Sequence, residues 1–224
     1  MDVAARQVED ADVPRVADIF ARGFPASIRH YCGDRQPHPV AFIDLFYFLS
    51  RVERDLFLVA RGPGGPVGYV VAATGPGGLV RAALTTPYVP RAVWRLLSGG
   101  YRVSWRSVIR LLRDKIAMAV SPAIVAYRGG EILSVAVAPD HRCRGVGRRL
   151  LEAALARLQG RGIRRVRLEV RPENTAALQL YGSLGFAVRG KITDSQGPWL
   201  IMIREVAGAE GPAAHAGAEG AAGR

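Results

Sequence analysis

The chain has little cysteine, almost no lysine and no long apolar run, and each shortage closes a class of explanation. Its two cysteines, Cys32 and Cys143, stand far apart in sequence. They make neither a disulfide framework nor a metal-ligand spacing. No metal is expected, and a reducing cytoplasm is the plain reading. Apolar stretches such as residues 41–49 are interrupted and too short to span a bilayer. Residues 1–5 lack the charged-then-apolar order of a secretion signal. Aromatic residues are only 8% of the chain, and neither a zinc-finger spacing nor an RNA-binding aromatic signature occurs. Nucleic acid is therefore not expected as a partner.

What is abundant is arginine. Of 31 basic residues only Lys115 and Lys191 are lysine, and the net charge is +12. A surplus of this size suits an acidic membrane, a nucleic acid or a polyanionic small molecule. With 224 residues, 49% of them apolar, the chain is long enough for one domain with a full core. Residues 1–206 read as that domain. Residues 207–224, mostly Ala and Gly, read as a disordered tail that cannot build a core.

Along the chain, residues 3–8 predict a strand. Asp10 or Asp12 is placed to cap a helix carrying Val16, Ile19 and Phe20, with Pro14 in its first turn. A turn-rich loop is expected over residues 23–39, then a helix over about 40–54 and a hairpin of strands 56–60 and 67–73. A basic helical insertion follows at about 75–121, with helical patterns over 90–98 and 104–118. In the second pattern Trp105, Val108, Ile109, Leu112 and Ile116 share one face. Seven arginines and one lysine face a single acid, Asp114, between Gly75 and Met118. Two readings stand for this segment. Trp94 and Trp105 pack on the domain with the arginines in water, or residues 90–118 form a basic amphipathic face for anionic lipid, an acidic or lipid-linked partner, or a second subunit.

Residues 132–138 predict a central strand covered on both faces. A glycine loop, a helix over 146–159, a strand over 164–170, a helix over 175–184 and strands over 186–193 and 198–205 complete the order. The glycine loop carries the sharpest signal. Gly145 and Gly147 remove side chains where a strand turns into a helix, and free N–H groups at a helix start favour an anion. Arg142, Arg144, Arg148 and Arg149 crowd the same opening. The loop is neither a Walker A motif nor a three-glycine dinucleotide fingerprint. From the residues alone it is a phosphate or pyrophosphate site, or a glycine turn before a surface helix.

Arg142-x-x-Gly145-x-Gly147, after an apolar strand and opening a helix, resembles the signature of the GNAT superfamily of N-acetyltransferases. The segment from Leu168-Glu169-Val170-Arg171 through Asn174 and Tyr181 to Leu184-Gly185-Phe186 resembles that family's fifth strand and following helix. In motif it is most similar to the bacterial ribosomal-protein N-terminal alanine acetyltransferases. The resemblance, firm over residues 131–204, implies an α/β (α+β) fold with a mixed, mostly antiparallel central sheet flanked by helices. It implies acetyl-CoA as cosubstrate and an amine acceptor whose identity stays open. By that resemblance the backbone of Arg142, Cys143, Arg144, Gly145, Val146, Gly147 and Arg148 holds the pyrophosphate, and that of Val135, Ala136 and Val137 pairs with the pantetheine arm.

Acetyl transfer to an amine is aminolysis of a thioester. A thiol of pKa about 8.5 leaves more readily when a nearby phenol, pKa about 10, can give it a proton. The resemblance puts Tyr181 in that role. As a bare residue Tyr181 is also a core tyrosine, on one stripe with Ala177, Leu180 and Leu184. Asn174 suits a helix N-cap, and the resemblance adds a cofactor contact. Strand alternation sets Glu169 with Arg167 and Arg171, opposite Val166, Leu168 and Val170. It is either an ion-pair partner of those arginines or, by resemblance, a general base acting through water. The alternative to an enzyme is an acyl-CoA-binding module without turnover, associated with a membrane surface through the insertion. A nucleic-acid binder would rest on charge alone.

Overall fold

The computed structural model describes residues 4–119 and 127–205. In order the elements are β1 (Ala5–Gln7), α1 (Val13–Gly23), α2 (Pro25–Cys32), α3 (Val40–Val52), β2 (Phe57–Gly62) and β3 (Gly65–Ala73). Helices α4 (Pro76–Thr85), α5 (Tyr88–Leu97) and α6 (Trp105–Ala119) follow. Then come β4 (Gly130–Val137), α7 (Val146–Gly160), β5 (Arg165–Val170), α8 (Thr175–Ser183), β6 (Ala187–Asp194) and β7 (Gly197–Glu205). The expected tail at 207–224 lies outside the described residues, as do residues 120–126. Among the described residues no helix is long and apolar enough to cross a membrane.

The strands form one seven-stranded sheet in the order β1-β2-β3-β4-β5-β7-β6. Every neighbouring pair is antiparallel except β4 and β5. This is the mixed, mostly antiparallel sheet that the resemblance implied. Helix α7 covers one face because Leu150, Leu151, Ala154, Leu155 and Leu158 recur at helical spacing, and all five are buried. Fully burying one such leucine contributes about 1.5–3 kcal/mol. Tyr181, Leu184 and Phe186 complete that cluster. On the other face Val13, Val16, Ala17 and Ile19 of α1 pack with Phe46 of α3 against Phe57, Val59, Tyr69 and Val71. Farther along this second face, Met118 of α6 packs on Ile192 and Ile201.

Three local expectations change. The loop expected over 23–39 contains α2, a two-turn helix started by Pro25 and ended at Gly33, whose φ is +63°. Its periodicity is too short to read, and the flanking glycines and prolines hid it. A third helix, α4, stands in the insertion where Pro76, Gly77 and Gly78 argued against one. Asp12 does not cap α1 with its side chain. It is fully buried, accepts from the N–H of Glu9 at 3.0 Å and is ion-paired with Arg61. That pair draws the start of α1 to β2.

Strand β4 positions the site. Val71 faces Ser134 and Ala72 faces Ile132, so Leu133 is an extra residue, a β-bulge. The bulge sets two successive side chains on one face. Leu133 packs with the α1–α3 cluster, and Ser134 Oγ lies 2.8 Å from the Tyr69 hydroxyl. Strand β5 pairs with β4 only at Gly130–Val166 and Glu131–Arg167. Past the bulge the two strands part. Both faces of β4 stay packed, Val135 and Val137 on the α7 cluster and Ala136 and Ala138 on the α1–α3 cluster, but the missing edge partner leaves Val135 and Val137 only half-buried.

Candidate functional site

The parting of β4 and β5 leaves a row of strand hydrogen-bonding groups without a strand partner. Ala138 donates to Val67 O at 2.8 Å, so its backbone faces β3. By alternation Ala136 faces β3 as well, while Val135 and Val137 turn their N–H and C=O into the opening. Of the three residues expected to meet an extended ligand, the outer two turn backbone into the opening and Ala136 turns its own towards β3. The Val137 carbonyl accepts from Arg142 Nε at 3.1 Å, which confirms the direction it faces.

The loop after β4 turns twice through left-handed backbone, at Cys143 (φ +58°) and Gly145 (φ +75°). Helix α7 starts at Val146. Its first intrahelical bond here runs from Arg149 N to Gly145 O at 3.1 Å, so the amides of Val146, Gly147 and Arg148 have no acceptor within the helix. These amides and the positive end of the helix dipole suit an anion. A carbon added at Gly147 would meet Leu180 and Val137 side-chain carbons at 3.5 and 3.7 Å, ordinary contact distances. Packing within the protein therefore does not require glycine there, whereas close approach of a ligand to the amide would. Arg142, Cys143 and Arg144 are exposed at the rim. Arg149 instead caps the Arg144 carbonyl at 3.0 Å, and Arg148 reaches α8 at Ser183 Oγ, 2.6 Å.

Asn174 is the N-cap of α8, accepting from Ala177 N at 3.2 Å. Tyr181 stands two turns later, 8% exposed, its ring 6.1 Å from that of Phe186. Burial pushes its phenol up to about 12, so it keeps its proton throughout the physiological range. Leu180 beside it is the residue that meets Gly147. The start of α7 and the end of α8 thus adjoin.

Glu169 lies on the opposite face of the sheet, paired in register with Ile201. Burial, then the neighbouring Glu131, raises its carboxyl above the ordinary range, against the pull of Lys115 and Arg167. It does not form the ion pair with Arg167 that strand alternation allowed. Arg167 is buried and holds Glu131 instead, at 2.8 Å, with its guanidinium 5.3 Å from the Tyr127 ring centre. Glu169 and Tyr181 therefore stand on opposite faces of the sheet.

A polar cluster that the sequence did not announce closes this second face. The Tyr31 hydroxyl of α2 donates to Asp114 of α6 at 2.9 Å. Ser195, in the turn between β6 and β7, donates to the same carboxylate and lies 2.8 Å from His30 Nε2. Gln196 donates to the Tyr31 hydroxyl at 3.2 Å. These bonds hold the Asp114 carboxyl below its usual range despite partial desolvation. Asp114, the lone acid of a basic segment, was the one available signal. A cavity of about 310 Å³ beside it is lined by Arg110, Arg113, Asp114, Ala117 and Ser195. Among the described residues no group of His, Cys, Asp or Glu could hold a metal ion.

The family model described as "Acetyltransferase (GNAT) family" matches residues 13–186. The chain belongs to the GNAT acetyltransferase family. Over 78 residues it is 40% identical to the ribosomal protein bS18-alanine N-acetyltransferase of Salmonella typhimurium, a match covering 35% of this chain and 53% of that one. Over 57 residues it is 51% identical to the mycothiol acetyltransferase of Thermobispora bispora, covering 25% of this chain and 19% of that one. The matched stretch spans about half or less of these curated relatives' length. The crystal structure of SsHAT superimposes with a TM-score of 0.69 at 26% identity, over 92% of this chain and 98% of that one.

Proposed function

We propose that the chain is an acetyl-CoA-dependent N-acetyltransferase that moves an acetyl group to a primary amine by direct transfer. The observation that carries this reading is the opening between β4 and β5, where the backbone of Val135 and Val137 has no strand partner and lies beside the amides at the start of α7. An extended ligand ending in a pyrophosphate fits that arrangement. Strand groups pair with its amide-bearing arm, and the loop from Arg142 to Arg148 takes its phosphates. Arg142 gives up the Val137 carbonyl when the arm enters. Asn174, its Oδ1 already engaged as a cap, offers its amide N–H₂ to the same arm.

When bound, acetyl-CoA supplies an activated acyl group on sulfur. Glu169 takes a proton from the acceptor ammonium through water, leaving a neutral amine to attack the acyl carbon. Tyr181 gives its proton to the departing sulfur as the C–S bond breaks, and its phenolate takes back a proton from the newly acylated nitrogen, which leaves a neutral amide and a free thiol. With Glu131 held by Arg167, Glu169 is the carboxyl left to take the ammonium proton. The names of the two relatives point to different acceptors, a ribosomal protein's alanine N-terminus and mycothiol chemistry. What the two names share is acetyl transfer, and the primary amine is part of the reading proposed for this chain. A cytoplasmic setting belongs to the same reading.

The test is thiol release from acetyl-CoA against short peptides of varied N-termini, polyamines, amino sugars and aminoglycosides. Acceptor-dependent release that falls about 10²-fold or more in Tyr181→Phe, with cofactor binding kept, is the expected result. Saturable acetyl-CoA binding without release to any amine would overturn transfer in favour of a binding module.

A further inference from the structure

Among the described residues ten large apolar side chains are exposed, and nine of them lie between Val89 and Ile116, on α5 and α6. On α5 the exposed face carries Trp94 and Leu97, 71% and 79% accessible. On α6 it carries Trp105, Leu112 and Ile116, at 63%, 53% and 61%. This is the amphipathic stripe evident in the sequence, but it faces outward. Packing of Trp94 and Trp105 on the domain is thus excluded.

Both helices are nonetheless held from their other sides. Arg95 pairs with Asp44, and the Tyr88 ring stacks on Phe48 at 4.4 Å. Asp114 ties α6 to α2 and to the turn before β7, while Met118 packs on the sheet. Ordered helices with one bare apolar face imply an occupant for that face.

Charge selects the occupant. Arg91 and Arg106 are exposed, and among the described residues neither has an acidic partner. The Arg106 guanidinium lies 5.6 Å from the Trp105 ring centre. Asp114, the only acid of the two helices, is turned inward to Tyr31 and Ser195. A second copy of the chain would set two cationic faces together. A nucleic acid would satisfy the guanidiniums but give Leu97, Leu112 and Ile116 nothing to bury against. An anionic bilayer surface supplies both, phosphates at the headgroup level and an apolar boundary below, where tryptophan also settles.

We propose that the outer faces of α5 and α6 are a peripheral docking surface for anionic lipid. The surface is separate from the Gly145–Gly147 loop and stands whether or not the chain transfers acetyl groups.

The experiment is co-sedimentation of the full chain with phosphatidylcholine vesicles, with and without phosphatidylglycerol, at low and high salt. Tryptophan emission is followed alongside. The expected result is partition only onto the anionic vesicles, weakened by salt, with a blue shift. Trp94→Ser with Trp105→Ser should weaken partition about tenfold or more. Arg91→Gln and Arg106→Gln should each weaken it about fivefold. Thermal unfolding and acetyl-CoA binding in solution serve as fold controls and should not change. Three results would overturn the proposal: no partition onto anionic vesicles, equal partition onto neutral ones, or a solution dimer abolished by the double tryptophan variant. The last would make a second copy the occupant.

Discussion

The two sides of the opening are built in different ways. The cofactor side is local: one strand, one loop and the first turn of one helix, all within Gly130–Arg149, with α8 brought against them by Leu180 and Tyr181. The side proposed to receive the acceptor is assembled from α2, α6 and the turn between β6 and β7, joined by bonds such as His30 to Ser195, 165 residues apart. A site made of backbone amides and left-handed turns needs particular residues at fixed spacing. A site made of side chains from distant segments needs only compatible surfaces. The first is expected to be brittle towards single substitutions near the loop, the second to loosen by degrees.

The largest effect should come from the loop. Gly147→Val thrusts a branched side chain at the amides that receive the phosphates, and acetyl-CoA affinity measured by calorimetry should fall about a hundredfold, two charge-assisted bonds' worth. Gly147→Ala, whose added carbon meets Leu180 and Val137 at ordinary contact, is the control and should leave the unfolding temperature no lower. Equal loss of affinity and fold in both variants would remove the contrast between ligand cradle and packing. Next is Asp114→Ala, which releases Tyr31 and Ser195 together. The KM for the amine should rise about tenfold while the KM for acetyl-CoA holds. A change confined to the cofactor KM would mean that α6 does not wall the acceptor side.

The smallest and most specific effect concerns Glu169. Its folded carboxyl titrates above the unfolded value because burial and Glu131 disfavour its charge. Between those two values the folded state holds the extra proton, so stability falls as pH rises through the window and stays lower above it. Glu169→Gln should therefore raise the unfolding midpoint at neutral pH and leave it nearly unchanged at acid pH. If Glu169 is the base, the acid limb of kcat/KM in the wild type should sit above the usual glutamate value of about 4.3. The same limb should vanish in the variant, leaving only the ionisation of the amine. A limb that persists in Glu169→Gln would assign the base elsewhere.

Much of this was legible before any coordinates. The hairpin of β2 and β3, the five-residue stripe of α7, the alternation of β5 and the Asn174 cap are periodic or local, and they fold as they read. The strand–loop–helix around Gly145 was legible because left-handed turns and bare amides constrain sequence directly. Helix α2 was hidden by brevity and α4 by its Pro-Gly-Gly start, since tertiary contacts there outweigh weak propensity. The bulge at Leu133 left no mark, because an extra residue in a strand changes pairing without changing composition.

The sequence by itself determined where a backbone would be free to meet an anion and which side chains, Tyr181 and Glu169, stand one helix and one strand away. Only the tertiary structure decided that Glu131 rather than Glu169 takes Arg167, that Asp114 gathers Tyr31 and Ser195, and that Trp94 and Trp105 face outward. Spacing along a chain fixes what an element presents. It does not fix which distant element it meets, because that depends on how the layers stack and on which charges then find one another at short range.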